Sequence, residues 1–249
     1  MNRAGHPLLA VLVAALAVLV LAACRTTQDT NRELAKGATG LTAAKGVRIA
    51  RENRSISVTG ATVLRDANGV AAVVLLRNRA GAQARVPVGL ELRDGGGHSL
   101  YRNDLAGLDP SLTSVAAVPA RGRTFWVDDQ IQVSSAPRRA GAKIGVARSV
   151  ASALPRMQLT AVAFDHDTDG VFARGIVANR SKVVQRRLVI ACISRRGSRI
   201  VAAGRAIVDV LPPAPTKKPT KFRVYFIGNP KGGALACTAP PTVLPGGSS

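Results

Sequence analysis

The chain has 249 residues, 35 Lys plus Arg against 14 Asp plus Glu, a formal net charge of +21, three cysteines and 3% aromatic residues. That length holds one or two domains, and the charge directs the surface toward anionic partners without specifying a fold. Scarce aromatics argue against a specific nucleic-acid reader, which needs bases to stack. With only His98 and His166 beyond residue 23, and no CxxC, there is no zinc-type ligand spacing.

The chain opens MNRAGHPLLAVLVAALAVLVLAAC. Its apolar run, Leu8 to Ala23, is short of the roughly 20 residues a membrane span needs and has no polar face for a core helix. Arg3, the apolar centre and Ala22-Ala23 make the three parts of a secretory signal. LAAC, Leu21 to Cys24, resembles the bacterial lipoprotein box, in which the cysteine is lipidated and the signal is cut ahead of it. The resemblance implies a signal over 1–23, a lipidated Cys24 and a protein held on the extracytoplasmic side of the cell membrane. Each buried methylene contributes about 0.8 kcal/mol, so two or three acyl chains anchor stably.

Residues 24–54 read as the lipidated cysteine and a flexible tether. RTTQDTNRELAKGATG has no sustained period, and its glycines oppose a stable helix. A coil of about 26 residues spans roughly 30 Å. With Cys24 used by the lipid, Cys192 and Cys237 remain. In an oxidising space they are a natural disulfide pair, two buried free thiols being the other arrangement.

Strand signals follow in order. ISVTGATVL, VAAVVLLRN, VPVGLELRD, TSVAAVPA and RTFWVDDQIQV are rich in Val, Ile and Thr and bounded by Gly, Asn, Asp or Pro. In VPVGLELRD the period-two alternation places Val86, Val88, Leu90 and Leu92 on one face. These segments make a first β-sandwich over 55–148, followed by a linker at 149–156. A second over 157–245 takes SRIVAAGRAIVDVL, KFRVYFIG, with Phe222, Val224 and Phe226 on one face, and GGALACTA. Residues 246–249 read as a disordered tail.

The second half repeats the first. GVAAVVLLRNRAGAQARVPVGLELRDGG from Gly69 aligns with GVFARGIVANRSKVVQRRLVIACISRRG from Gly170, an offset of 170 − 69 = 101. At that offset Asn78 meets Asn179, Arg85 meets Arg186 and Val88 meets Val189, with no gap. A repeat this long suits two tandem β-sandwiches of immunoglobulin-like type rather than a solenoid. GIVANRS, LVIACISRRGSRIVAAG and KFRVYFIG together resemble the FxLYD type of small bacterial envelope domain. That resemblance implies an all-β fold and an envelope location, with no catalysis assigned to the family. LPPAP stands where the family has L-x-P-G.

Three groups of residues are candidates for chemistry. Asp165, Asp167 and Asp169 in DHDTDG resemble the start of a calcium loop. Position 12 is Ile176 where a bidentate acid is needed, so an EF-hand is excluded and an acidic turn remains. QRRLVIACISRRGSRIVAAGR gathers Arg186, Arg187, Arg195, Arg196, Arg199 and Arg205 on one expected hairpin, a candidate contact for anionic wall polymer or lipid head groups. Asp128 and Asp129 are adjacent and so point to opposite faces of a strand. GxSxG, HExxH and the phosphate-binding GxxxxGK[ST] are all absent. The expected role is a non-catalytic interaction or scaffold module, with no cofactor, meeting another envelope protein through strand edges. The alternative is an electrostatic binder acting through hairpin 185–205.

Overall fold

The computed structural model of the protein describes residues 46–216 and 219–245. The signal at 1–23, Cys24, most of the tether and the tail at 246–249 lie outside the described residues. The fold is all-β, two tandem immunoglobulin-like sandwiches. The first comprises β1 (Ile56–Asp66), β2 (Gly69–Asn78), β3 (Gln83–Arg93), β4 (Ser99–Arg102), β5 (Ser114–Val118), β6 (Arg123–Ile131), β7 (Arg139–Ile144) and β8 (Arg148–Ser149), with a 3-10 turn at Pro110–Leu112. The second comprises β9 (Met157–Asp167), β10 (Gly170–Asn179), β11 (Gln185–Arg196), β12 (Arg199–Leu211), β13 (Thr220–Tyr225), β14 (Ile227–Gly228) and β15 (Ala234–Thr238).

Every strand pair is antiparallel. In the first sandwich β1–β2–β6 faces a sheet in which β3 pairs with β4, β5, β7 and β8. Val86, Val88, Leu90 and Leu92 all point inward from β3, as their alternation requires, and meet Val74, Leu76 and Trp126. In the second sandwich β9–β10–β13 faces β14–β12–β11–β15. Phe222, Val224 and Phe226 share its core with Leu188, Ile190 and Cys192. Cys192 and Cys237 are opposite one another on β11 and β15 and are joined by a disulfide.

The repeat holds at offset 101 through β2 and β10, then slips. Gly69 and Gly170 both take positive φ, 143° and 133°, where their hairpins enter the second strand, a region open to glycine but strained for other residues. Asn78 and Asn179 are both buried and tie their turns. Asn78 Nδ2 donates to the Gly81 and Pro119 carbonyls, and Asn179 Nδ2 to those of Val183 and Leu211. Beyond them the second turn is one residue longer. Buried Gln83 therefore corresponds to buried Gln185, and the positive φ of Arg85 (51°) to that of Arg187 (48°), an offset of 187 − 85 = 102. The gapless alignment is corrected accordingly. Val88 matches fully buried Ile190 rather than Val189, because a one-residue slip turns every side chain to the other face.

The chain joins the first sandwich a few residues before 55, so the expected tether does not run free to residue 54. Glu52 bridges Gly145 and its carboxylate meets Lys143. Asn53 donates to Gln83 Oε1 at 2.7 Å while its own Oδ1 accepts from the Ser55 and Ile56 amides.

The two sandwiches belong to one compact unit, Lys45–Ser249. Val73 and Val127, on the outer face of β1–β2–β6, pack against Ala191, Ile193, Ile200 and Ala203 on the outer face of β11–β12. Leu64, Leu75 and Phe125 extend the contact. β2 is thus buried on both faces, with Ala71 to Val74 all at 0% exposure. That is why VAAVV is continuously apolar instead of alternating.

Candidate functional site

The seam between the sandwiches concentrates the molecule's buried charge. β6 passes along it, and Asp128 and Asp129 do point to opposite sides. Asp128 turns into the first sandwich, where its Oδ2 accepts from the Tyr101 hydroxyl at 3.0 Å and its Oδ1 from the Gln130 amide. Burial raises its carboxyl above the ordinary aspartate value, partly opposed by those hydrogen bonds and the Arg205 charge. Burial and the Asp128 charge also push the Tyr101 hydroxyl up. Asp129 turns the other way and accepts from the Arg205 amide and Nε, both at 2.9 Å.

The six hairpin arginines do not make one site. β11 and β12 form the expected hairpin, with Gly197-Ser198 at its tip, but Arg186 and Arg187 sit at the opposite end of β11 from that tip. β11 is 12 residues long, so its ends lie roughly 35 Å apart. Arg205 is withdrawn altogether. Its side chain is 3% exposed, held by Asp129 and by the Ser111 hydroxyl of the first sandwich. Arg187 also crosses the seam, to Asp109. Burial pulls the Asp109 carboxyl up, but hydrogen bonds from Ser111 and the Arg187 charge outweigh it and hold the group below the ordinary range. Arg205 and Arg187 therefore fasten the two sandwiches to each other. Arg186, Arg196 and Arg199 remain exposed, with Arg196 donating to the Asn229 carbonyl, and Arg195 lines a seam cavity.

The acidic turn is a hairpin between β9 and β10. Asp165 pairs with Arg174 at 2.9 Å. Asp167 accepts from the Tyr225 hydroxyl at 2.8 Å, which chiefly lowers its carboxyl, and meets Arg223 at 3.4 Å. Arg223 in turn lies over the Phe172 ring, 4.9 Å from its centroid. Asp165 and Asp167 are thus already met by cations and a phenol. Among the described residues no group of three or more His, Cys, Asp or Glu is placed to hold a metal ion. His98 follows the turn after β3, with its Nδ1 3.0 Å from Asp94 Oδ2.

The pairings of Arg205 with Asp129 and of Arg187 with Asp109 join residues 76 and 78 positions apart. No local pattern announces them. The one signal that pointed to the seam was the unbroken apolar run of VAAVVLL and LVIACI, because strands with a wet face alternate. No protein-family model and no curated protein matches the chain.

Proposed function

We propose that the protein is an exported bacterial lipoprotein, anchored through a lipidated Cys24, whose two FxLYD-like sandwiches form a non-catalytic module that docks another envelope protein by strand addition. The observation that supports this reading is the edge strand β9. Among the described strands it pairs with β10 alone. From Met157 to Phe164 it carries no charged residue, whereas the opposite edge of the same sheet, β13, carries Lys221 and Arg223. Charge is the usual protection of an open edge, and an edge without it can accept a partner's strand. A bulge at Ala161, whose φ is +50°, interrupts the edge and limits the added strand to a few residues on either side.

A photoreactive residue at exposed Thr160, in intact cells, is expected to give one discrete protein adduct that the same residue at Lys221 does not give. Equal adducts at both positions, or none at Thr160, would overturn the docking edge. Mass spectrometry of the N-terminal peptide tests the anchor, with a diacylated or triacylated Cys24 expected and a free, unlipidated start refuting it.

A second reading, electrostatic binding of anionic polymer or lipid, is favoured by the exposed Arg196 and Arg199 at the hairpin tip. Ionic strength separates the two. Charge-driven binding falls steeply with salt, and the strand-added adduct survives it.

A further inference from the structure

Three strands end their seam-facing alternation on an arginine. On β2 the face that meets the second sandwich reads Val73, Leu75, Arg77. On β6 it reads Val127, Phe125, Arg123, and on β11 Ala191, Ile193, Arg195. The apolar members of all three series form or border the seam cluster. The period of two then carries each arginine one step beyond it, at the same end of the interface. Arg77 and Arg123 are direct cross-strand partners, an arrangement that is destabilising for like charges. Arg195 approaches from the second sandwich.

The three arginines line a cavity of about 430 Å³ together with Thr59 and Thr238. No Asp or Glu lines it, and none of the three arginines has an ion-pair partner among the described residues. This contrasts with Arg187 and Arg205 elsewhere along the seam, each of which has an aspartate. The cavity floor is held on the second sandwich's side by the Cys192–Cys237 bond, which fixes β15, and with it Thr238, beside β11. Its volume falls in the range of small-molecule sites, roughly 300–1,000 Å³. Converging guanidinium groups recognise phosphate through paired N–H donors that a lone ammonium does not offer.

We propose that this seam cavity is an oxyanion site for a phosphate group, held by Arg77, Arg123 and Arg195, with Thr238 as a hydroxyl donor. It adjoins the hairpin tip through Arg195 but does not include Arg196 or Arg199, and it does not depend on the strand-docking reading. The phosphate offsets the repulsion between Arg77 and Arg123 and bridges the two sandwiches. Phosphate chemistry reaches an envelope protein from two sources, a phosphodiester head group or a free phosphate, and the cavity has room for substituents beyond the phosphate itself.

The test uses the full chain in detergent at low salt. Isothermal titration is carried out with inorganic phosphate and, separately, with glycerophosphoglycerol, the acyl-free phosphodiester head group. Saturable binding near one equivalent is expected for at least one probe. Tighter binding of the diester assigns a head-group source, and tighter binding of inorganic phosphate a soluble one. R77Q, R123Q and R195Q should each weaken it about tenfold or more, the worth of a charged hydrogen-bond pair. R139Q and R148Q remove the same charge at exposed positions of the first sandwich and should leave it within about twofold. Thermal melting gives an independent check. The bound probe should raise the Tm of the wild type and of R139Q but not that of R77Q. No saturable binding of either probe, or equal weakening by the seam and control substitutions, would overturn the site while leaving the β9 edge untested by the same data.

Discussion

The β1–β2–β6 sheet of the first sandwich and the β9–β10–β13 sheet of the second occupy the same place in the fold, and their inward faces correspond. Ala72 matches Ala173, Leu76 matches Val177 and Asn78 matches Asn179, all buried. Their outward faces differ over most of their area. The first shows Leu64, Val73, Leu75, Phe125 and Val127, covered by the second sandwich. The second shows Asp165, Asp167, Arg174, Arg223 and Tyr225, tied into an exposed lattice of ion pairs and hydrogen bonds. The sharpest single contrast is Val73 against Arg174, equivalent at offset 101. What lies over a sheet, rather than its place in the sandwich, decides the chemistry of its outer face.

The same comparison distinguishes the covered outer faces from the open ones. The first sandwich uses its β1–β2–β6 face and the second its β11–β12 face, so the contact joins unlike surfaces and could in principle propagate head to tail. The faces that would extend it are both charged. β3, the counterpart of β11, presents Glu91 and Arg93 outward with Arg102 beside them, and β10 presents Arg174. Neither offers the apolar surface that Val73 and Ile193 give the seam.

Placing the charge of the open face on the covered one should have the largest effect. V73R buries an unpaired guanidinium against Ala191 and Ile193 and is expected to cost about 4 kcal/mol or more, read by urea denaturation. D129A leaves Arg205 charged and unpaired where its side chain is 3% exposed. A loss of about 3–5 kcal/mol is expected, and D129A/R205M should recover part of it.

The effect of pH differs between the two aspartates turned inward and across the seam. Asp128 has a raised carboxyl pKa, so the folded chain holds its proton more tightly than the unfolded one. Its charge becomes a cost as pH rises above the ordinary aspartate value. The stability of D128N relative to wild type should therefore increase with pH across that weakly acidic window. Asp109 has a lowered pKa, so its contribution is present above the ordinary value and is lost as pH falls through the folded one. The stability gap between wild type and D109N should close in acid. The smallest effect belongs to the open face. R174A breaks an ion pair with both partners substantially exposed, at 56% and 42%, and should change stability by no more than about 1 kcal/mol.

Most of the strand pattern was legible because period-two burial is written locally. The inward faces of β3 and β13 follow from alternation alone, and the disulfide matches the pairing expected for the two cysteines that remain beside Cys24. The register of the repeat was not legible past Asn179. The extra residue there sits in a polar turn, and the buried Gln83 and Gln185 that fix the true alignment look like surface residues in sequence. The site residues fared differently for a related reason. Arg205 and Arg199 are alike in sequence, yet one is clamped under Asp129 and the other is exposed, and only the packing of one sandwich on another separates them. Arg77, Arg123 and Arg195 come from three strands and two sandwiches, so no spacing brings them together.

The central claim is that the two sandwiches are one cooperative body joined through an apolar seam. Scanning calorimetry of the full chain tests it most directly. The wild type should unfold in a single transition whose calorimetric and van't Hoff enthalpies agree, and V73R should split that transition in two. Two separate transitions in the wild type, at the same temperatures as in V73R, would contradict it.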